Sequence, residues 1–106
     1  MAKRLPPLQS LRAFEAAGRH ESVRRAAEEL FVTPSAISHQ IRGLELDLGI
    51  RLFQRTNRGL RLTAAGEAML PDVHEAFRRL HAAVNRITPA SRAPANDIAG
   101  PEAVNL

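Results

Sequence analysis

The sequence predicts a small, mainly α-helical domain followed by one long amphipathic helix. Its 106 residues contain no cysteine, which bounds the chain to a single small domain with a short extension and excludes disulfides and cysteine-ligated metal. The composition is 44% hydrophobic with Phe, at four positions, the only aromatic residue, so a core has to be built from Leu, Ile, Val and Ala, a profile that suits helices. Apolar residues also recur at three- and four-residue spacing in four separate segments.

The first segment starts at Pro7, whose fixed φ favours a helical start, and places Leu8, Leu11, Phe14 and Ala17 on one face, with Gly18 read as the stop. In the second, Ser22 is the expected N-cap and Val23, Ala26, Ala27 and Leu30 face inward, the two alanines allowing another helix to cross closely. After Phe31 and Val32, Thr33 as N-cap and Pro34 at the first helical position give the strongest start signal in the chain. This third helix runs to Leu48, where Gly49 can take the left-handed cap.

The third helix separates its faces. Ile37, Ile41, Leu44 and Leu48 form the core side, while Ser35, Ser38, His39 and Arg42 lie opposite, donors short enough to reach base edges from within a major groove. Two helices joined by a tight turn, the second presenting such a face near its start, describe a helix-turn-helix. A solvated polar face is the commoner explanation for any single amphipathic helix. Two further features weigh against it here.

The first is charge. Fifteen basic residues, fourteen of them Arg, stand against eleven acidic ones for a net +4; residues 1–62 hold eleven of the basic and six of the acidic residues. A polyanion partner is therefore expected in that part of the chain. Arg24 and Arg25 sit in the first turn of the second helix, where the helix dipole disfavours cations by roughly 0.3 to 1 kcal/mol each unless a phosphate binds there. The second is the segment Leu52 to Leu62, two partly alternating runs around Asn57-Arg58-Gly59, which predicts a hairpin with Arg55, Arg58 and Arg61 at its tip. A basic hairpin just after such a helix is a wing able to reach backbone or minor groove.

Leu11-Arg12-Ala13-Phe14, the run from Arg25 to Leu30, the run from Thr33 to Glu45, the run from Leu48 to Arg55, and Leu62 to Gly66 together resemble the N-terminal DNA-binding domain of LysR-type transcriptional regulators. The resemblance covers about Leu5 to Ile87 and implies a winged helix-turn-helix followed by a long dimerising linker helix. Carried over position by position, it implies base and groove contacts at Pro34, Ser35, Ser38, His39 and Arg42, and phosphate or minor-groove contacts at Ser22, Arg24, Arg55, Thr56 and Arg58. The family usually has an aromatic residue where this chain has Val23. Its members continue into an effector-binding domain of two α/β lobes; the segment from Thr88 shows none of that domain's strand-rich start, so no small-molecule effector is expected on this chain.

The fourth segment makes its own physical case. Leu70, Val73, Phe77, Leu80, Val84 and Ile87 repeat at alternating spacings of three and four, an a/d seam with Ala76 and Ala83 at g and His74 and His81 at e. Thr63 can cap this helix, and Pro71 either begins a turn or kinks the entry. A dimer seam is expected, since an unpaired one leaves an exposed apolar stripe. In an antiparallel pair His74 would approach the partner's His81, so dimerisation would weaken as pH falls through about 6.5.

The predicted organisation is thus a winged helix-turn-helix over 1–62, a linker and dimerisation helix over 63–87, and a disordered tail over 88–106, where three prolines and no apolar period give little surface to bury. No cofactor or metal is expected: His74 and His81 lack a third donor, and no nucleophile with a base, carboxylate pair or phosphate loop suggests an enzyme. No apolar run reaches the length of a membrane span, and no hydrophobic targeting segment precedes Pro6 and Pro7, so a cytoplasmic, nucleoid-associated bacterial protein is expected. Two functions remain open: a homodimeric sequence-specific regulator binding double-stranded DNA without an effector domain, or an interaction protein that heterodimerises with a full-length relative and modulates it negatively.

Overall fold

A computed structural model describes residues 4–89. Its elements follow the order α1 (Leu8–His20), α2 (Val23–Leu30), α3 (Pro34–Leu48), β1 (Phe53–Thr56), β2 (Gly59–Leu62) and α4 (Ala64–Ile87). A first compact unit runs to His74, and a second begins at Glu75.

The caps explain the boundaries. Pro7 opens α1 through its carbonyl, which accepts from the N–H groups of Ser10 and Leu11. Ser22 Oγ accepts from the Arg25 N–H at 3.0 Å, and Thr33 Oγ1 accepts from the Ala36 N–H at 3.0 Å. Each satisfies an orphan donor of a helix first turn. Gly49 closes α3 in the left-handed conformation. Glu21 and Phe31 also take positive φ, 54° and 59°, ending α1 and α2 without the glycine that normally relieves such positions. Both interhelical turns are short, two residues between α1 and α2 (21–22) and three between α2 and α3 (31–33).

Gly18 is not the stop of α1. The helix continues to His20, and Gly18 is buried where a Cβ would come within 3.2 Å of the Leu70 side chain at the root of α4. A close approach, and not a chain reversal, accounts for that glycine. Two further expectations change: Leu8 is 57% exposed, and Leu48 is 41% exposed, so the buried side of α3 is Ile37, Ile41 and Leu44.

The core of the first unit joins Phe14, Ala13, Ala16 and Ala17 of α1, Ala26 and Ala27 of α2 and the α3 stripe to Leu52, Phe53 and Leu60 of the hairpin. Phe14 and Phe53 meet edge to face with ring centroids 5.6 Å apart, tying the first helix to the hairpin. Alanines at the α1 and α2 crossings let three short helices share so small a core.

Thr63 caps α4, its Oγ1 accepting from the Gly66 N–H at 3.2 Å and donating to the Arg51 carbonyl at 2.8 Å. Helix α4 continues through Pro71, although proline removes one hydrogen bond of the ladder. Leu70 and Val73 pack against the core of the first unit. In the second unit Leu80, Val84 and Ile87 are 50%, 58% and 84% exposed. Thr88 ends α4 by donating from Oγ1 to the Val84 carbonyl at 2.7 Å. The tail expected over 88–106 lies outside the described residues from position 90 onward.

Candidate nucleic-acid interface

Helix α3 presents Pro34, Ser35, His39 and Arg42 as exposed residues and Ser38 as half-buried, so the five positions singled out for base and groove contact share one accessible side. The opposite side is held in the core by Ile37, Ile41 and Leu44. Gln40 braces the helix from its flank: its Oε1 accepts from the Ser10 hydroxyl of α1 at 2.8 Å. The face is thereby fixed in rotation about the helix axis.

The hairpin stands beside this face. Its register pairs Phe53 with Leu62, Gln54 with Arg61, Arg55 with Leu60 and Thr56 with Gly59. Paired residues share a face of an antiparallel ribbon. Arg55 therefore lies on the side of the buried Leu60, while Arg61 lies on the other side with Gln54. The expectation of three arginines at the tip is corrected by this register: only Arg58 belongs to the two-residue turn. Thr56 builds that turn, its Oγ1 accepting from the Arg58 N–H at 3.1 Å and donating to the Gly59 carbonyl at 3.2 Å.

Between α3 and the hairpin runs an open cleft of about 170 Å³ that Ser38, Arg42, Arg51 and Arg55 line together. Arg42, Arg55 and Arg58 have no carboxylate partner among the described residues, which leaves their charge available to an anion. Arg24 is 73% exposed in its side chain and only loosely held, its Nη1 at 3.2 Å from Glu28 Oε2 one turn on. Ser22 remains half-buried, its oxygen engaged by the Arg25 N–H. The cap and Arg24 so flank the exposed start of α2.

Glu45 was missed from sequence. Its side chain is only 12% exposed, Oε1 lies 3.6 Å from Arg51 Nε, and Oε2 accepts from the backbone N–H groups of Leu52 and Phe53 at 2.8 and 3.1 Å. The one available signal was a carboxylate four residues after Ile41, beside the apolar stripe of α3.

His74 also departs from expectation. Its Nδ1 sits 2.6 Å from Glu15 Oε2, within the first unit, so its ring is engaged there and does not wait on a dimer seam.

Three short helices with a basic two-stranded hairpin beside the third define a winged helix-turn-helix module. Residues 8–67 match the family described as "Bacterial regulatory helix-turn-helix protein, lysR family". The chain belongs to that lysR family. It is similar to the glycine cleavage system transcriptional activator of Escherichia coli strain K12, with 54% identity over 87 residues that make up 82% of this chain and 28% of that protein. The chain thus spans little more than a quarter of that relative's length. Among solved structures it is similar to CbnR in the CbnR DBD–DNA complex, with a TM-score of 0.67 and 33% identity over 76% of this chain and 93% of that one. It is similar also to BenM in the BenM DBD/catB site 1 DNA complex, with a TM-score of 0.71 and 28% identity over 76% of this chain and 91% of that one. Among the described residues no helix is long and apolar enough to cross a membrane.

Proposed function

We propose that this chain is a sequence-specific, double-stranded-DNA-binding transcriptional regulator that works as a homodimer. The observation that carries the reading is the exposed side of α3, where Ser35, His39 and Arg42 stand together beside a cleft that Arg55 also lines. With α3 in a major groove, these side chains meet base edges, since hydroxyl, imidazole and guanidinium groups supply the donors and acceptors that the groove distinguishes. Arg58 at the hairpin turn, Thr56 beside it and Arg24 with Ser22 at the start of α2 meet phosphates or the adjacent minor groove and fix register without reading sequence. Two solved relatives, CbnR and BenM in their DNA complexes, support this assignment.

Dimerisation falls to the exposed part of α4. Phe77, Leu80, Val84 and Ile87 continue the seam that Leu70 and Val73 begin against the core, and the last three are at least half exposed. Pairing two such stripes removes apolar surface from water and places two recognition helices under one symmetry axis. The site read by a two-fold dimer is an inverted repeat.

Selection of bound fragments from random duplexes by the purified chain tests the reading. Enrichment of an interrupted inverted repeat is expected. Recovery of no common sequence would refute sequence-specific binding, and a single unrepeated element would refute the homodimer.

A further inference from the structure

Besides the core packing of Leu52, Phe53 and Leu60, the wing of this protein is joined to α3 and to the cap of α4 by hydrogen bonds at residues 51 to 53. Glu45 Oε2 accepts from two successive backbone N–H groups, those of Leu52 and Phe53, at 2.8 and 3.1 Å. The carbonyls of the same two peptide units are held by Thr63, the cap of α4. The Leu52 carbonyl accepts from the Thr63 N–H at 3.0 Å, the Arg51 carbonyl accepts from Thr63 Oγ1 at 2.8 Å, and a Cβ at Gly66 would overlap the Leu52 carbonyl oxygen. The start of β1 is therefore held between a carboxylate from the recognition helix and the cap of the linker helix.

Nothing else from α3 hydrogen-bonds the wing among the described residues. Glu45 lies on α3 one turn beyond Ile41, in the same cleft as Ser38, Arg42 and Arg55. A single oxygen that accepts from two successive backbone N–H groups fixes direction as well as distance, because both bonds have to be met from one point.

We propose that Glu45 is a positioning residue for DNA binding: it sets where the wing, and Arg58 at its turn, stands relative to the reading face of α3. The inference rests on the DNA-binding reading above. Glu45 touches no DNA in this scheme; it acts through the backbone of Leu52 and Phe53. What matters is an acceptor oxygen at full side-chain reach, so Glu45→Gln retains the function, whereas Glu45→Asp, one methylene shorter with its charge intact, loses it along with Glu45→Ala.

The test is a set of salt titrations on the full chain with one duplex, crossed with Arg58→Ala. In the wild type, Arg58→Ala flattens the slope of log affinity against log salt by about 1 per wing. In the Glu45→Ala or Glu45→Asp background the slope is already reduced and Arg58→Ala changes it no further; in the Glu45→Gln background the wild-type effect returns. Additive effects of Arg58→Ala in every background, or loss in Glu45→Gln equal to that in Glu45→Ala, would overturn the proposal. If the Ala and Asp variants do not fold, Glu45→Gln crossed with Arg58→Ala keeps the proposal falsifiable, because a slope altered in Glu45→Gln, or amide exchange at Leu52 and Phe53 faster there than in the wild type, would overturn it. Amide hydrogen exchange at Leu52 and Phe53 reads the staple independently of DNA, with faster exchange expected in Glu45→Asp and not in Glu45→Gln. A wild-type chain that binds no duplex but shows this exchange pattern would sink the functional reading and leave the staple standing without its role.

Discussion

His74 Nδ1 and Glu15 Oε2 lie 2.6 Å apart, joining the root of α4 to the middle of α1 across 59 positions of sequence. The same carboxylate receives Arg19 Nε at 2.8 Å, Arg19 reaches on to Glu29 of α2 at 2.7 Å, and His20 Nε2 lies 2.7 Å from Glu29 Oε1. Five alternating groups thus link three helices on the side of the domain built by α1 and α2. The Arg19 guanidinium holds the Glu15 carboxyl below its usual value against the opposing effect of burial, with His74 adding to the lowering. Glu29 is lowered to about 2, again mainly by Arg19.

Stability should therefore depend on acid in a definite window. Both carboxyls have depressed folded-state values, so their contribution is fully present above pH 4.5, the ordinary value, and is lost as pH falls below it, for Glu29 toward about 2. Solvent reaches Glu29, 38% exposed, and screens the network, which limits the contribution to about 1 kcal/mol. Thermal unfolding of the wild type and Arg19→Ala between pH 6 and pH 2.5 checks this. The difference in Tm between them should shrink across that range; a constant difference would show that the network adds nothing electrostatic.

Two glycines separate close approach to a side chain from close approach to backbone. At Gly18 an added Cβ meets the Leu70 methyl groups at 3.2 and 3.3 Å, a flexible neighbour, and alanine raises helix propensity by about 1 kcal/mol. Gly18→Ala is expected to change stability by less than about 1 kcal/mol. At Gly66 the added carbon overlaps the Leu52 carbonyl, which is fixed by the Thr63 N–H. Gly66→Ala is expected to cost about 1 to 3 kcal/mol, the range for overpacking, read as a lower midpoint in urea.

Most of the helical frame was legible in the sequence because caps are local chemistry. Ser22, Thr33-Pro34, Gly49 and Thr63 each announce a boundary through groups within three residues of it, and each boundary falls there. The departures share a different origin. Gly18 reads as a stop only while Leu70 is out of view, and Leu48 reads as core only while the far turn of α3 is assumed to be covered. Arg55 and Arg61 were placed together because register depends on which residues pair across the ribbon. Glu45 reaches the backbone of Leu52 and Phe53 across the turn after α3, and the Glu15–His74 contact joins positions 59 apart in sequence; no periodicity encodes either pair. The exposed polar side of α3 was legible because it follows from the helical period once the buried stripe is known.

Assembly gives a separate prediction. Sedimentation of the chain at micromolar concentration should show a dimer, and Phe77→Asp should give monomers by placing an unpaired charge in the apolar seam of α4. A wild-type chain that stays monomeric would leave Leu80, Val84 and Ile87 for a different partner and remove the homodimer.

Phosphate contact can be isolated at Arg58. A dimer neutralising roughly six phosphates gives a slope of log affinity against log salt near −5, and Arg58→Ala should flatten it while weakening all duplexes alike. An unchanged slope would take Arg58 off the phosphate backbone.

Base reading by the exposed side of α3 is tested most directly by His39→Ala. His39 is exposed on α3 within two turns of the Thr33 cap, where the helix start can enter a groove. Affinities of wild type and variant for the selected duplex and for each of its single-base changes give the discrimination at every position. The expected result is loss of about 1 to 3 kcal/mol of discrimination at one position in each half-site, with preferences elsewhere intact. Equal weakening at every position, with no preference relaxed, would contradict base reading by His39 and reduce it to a residue that only seats the helix.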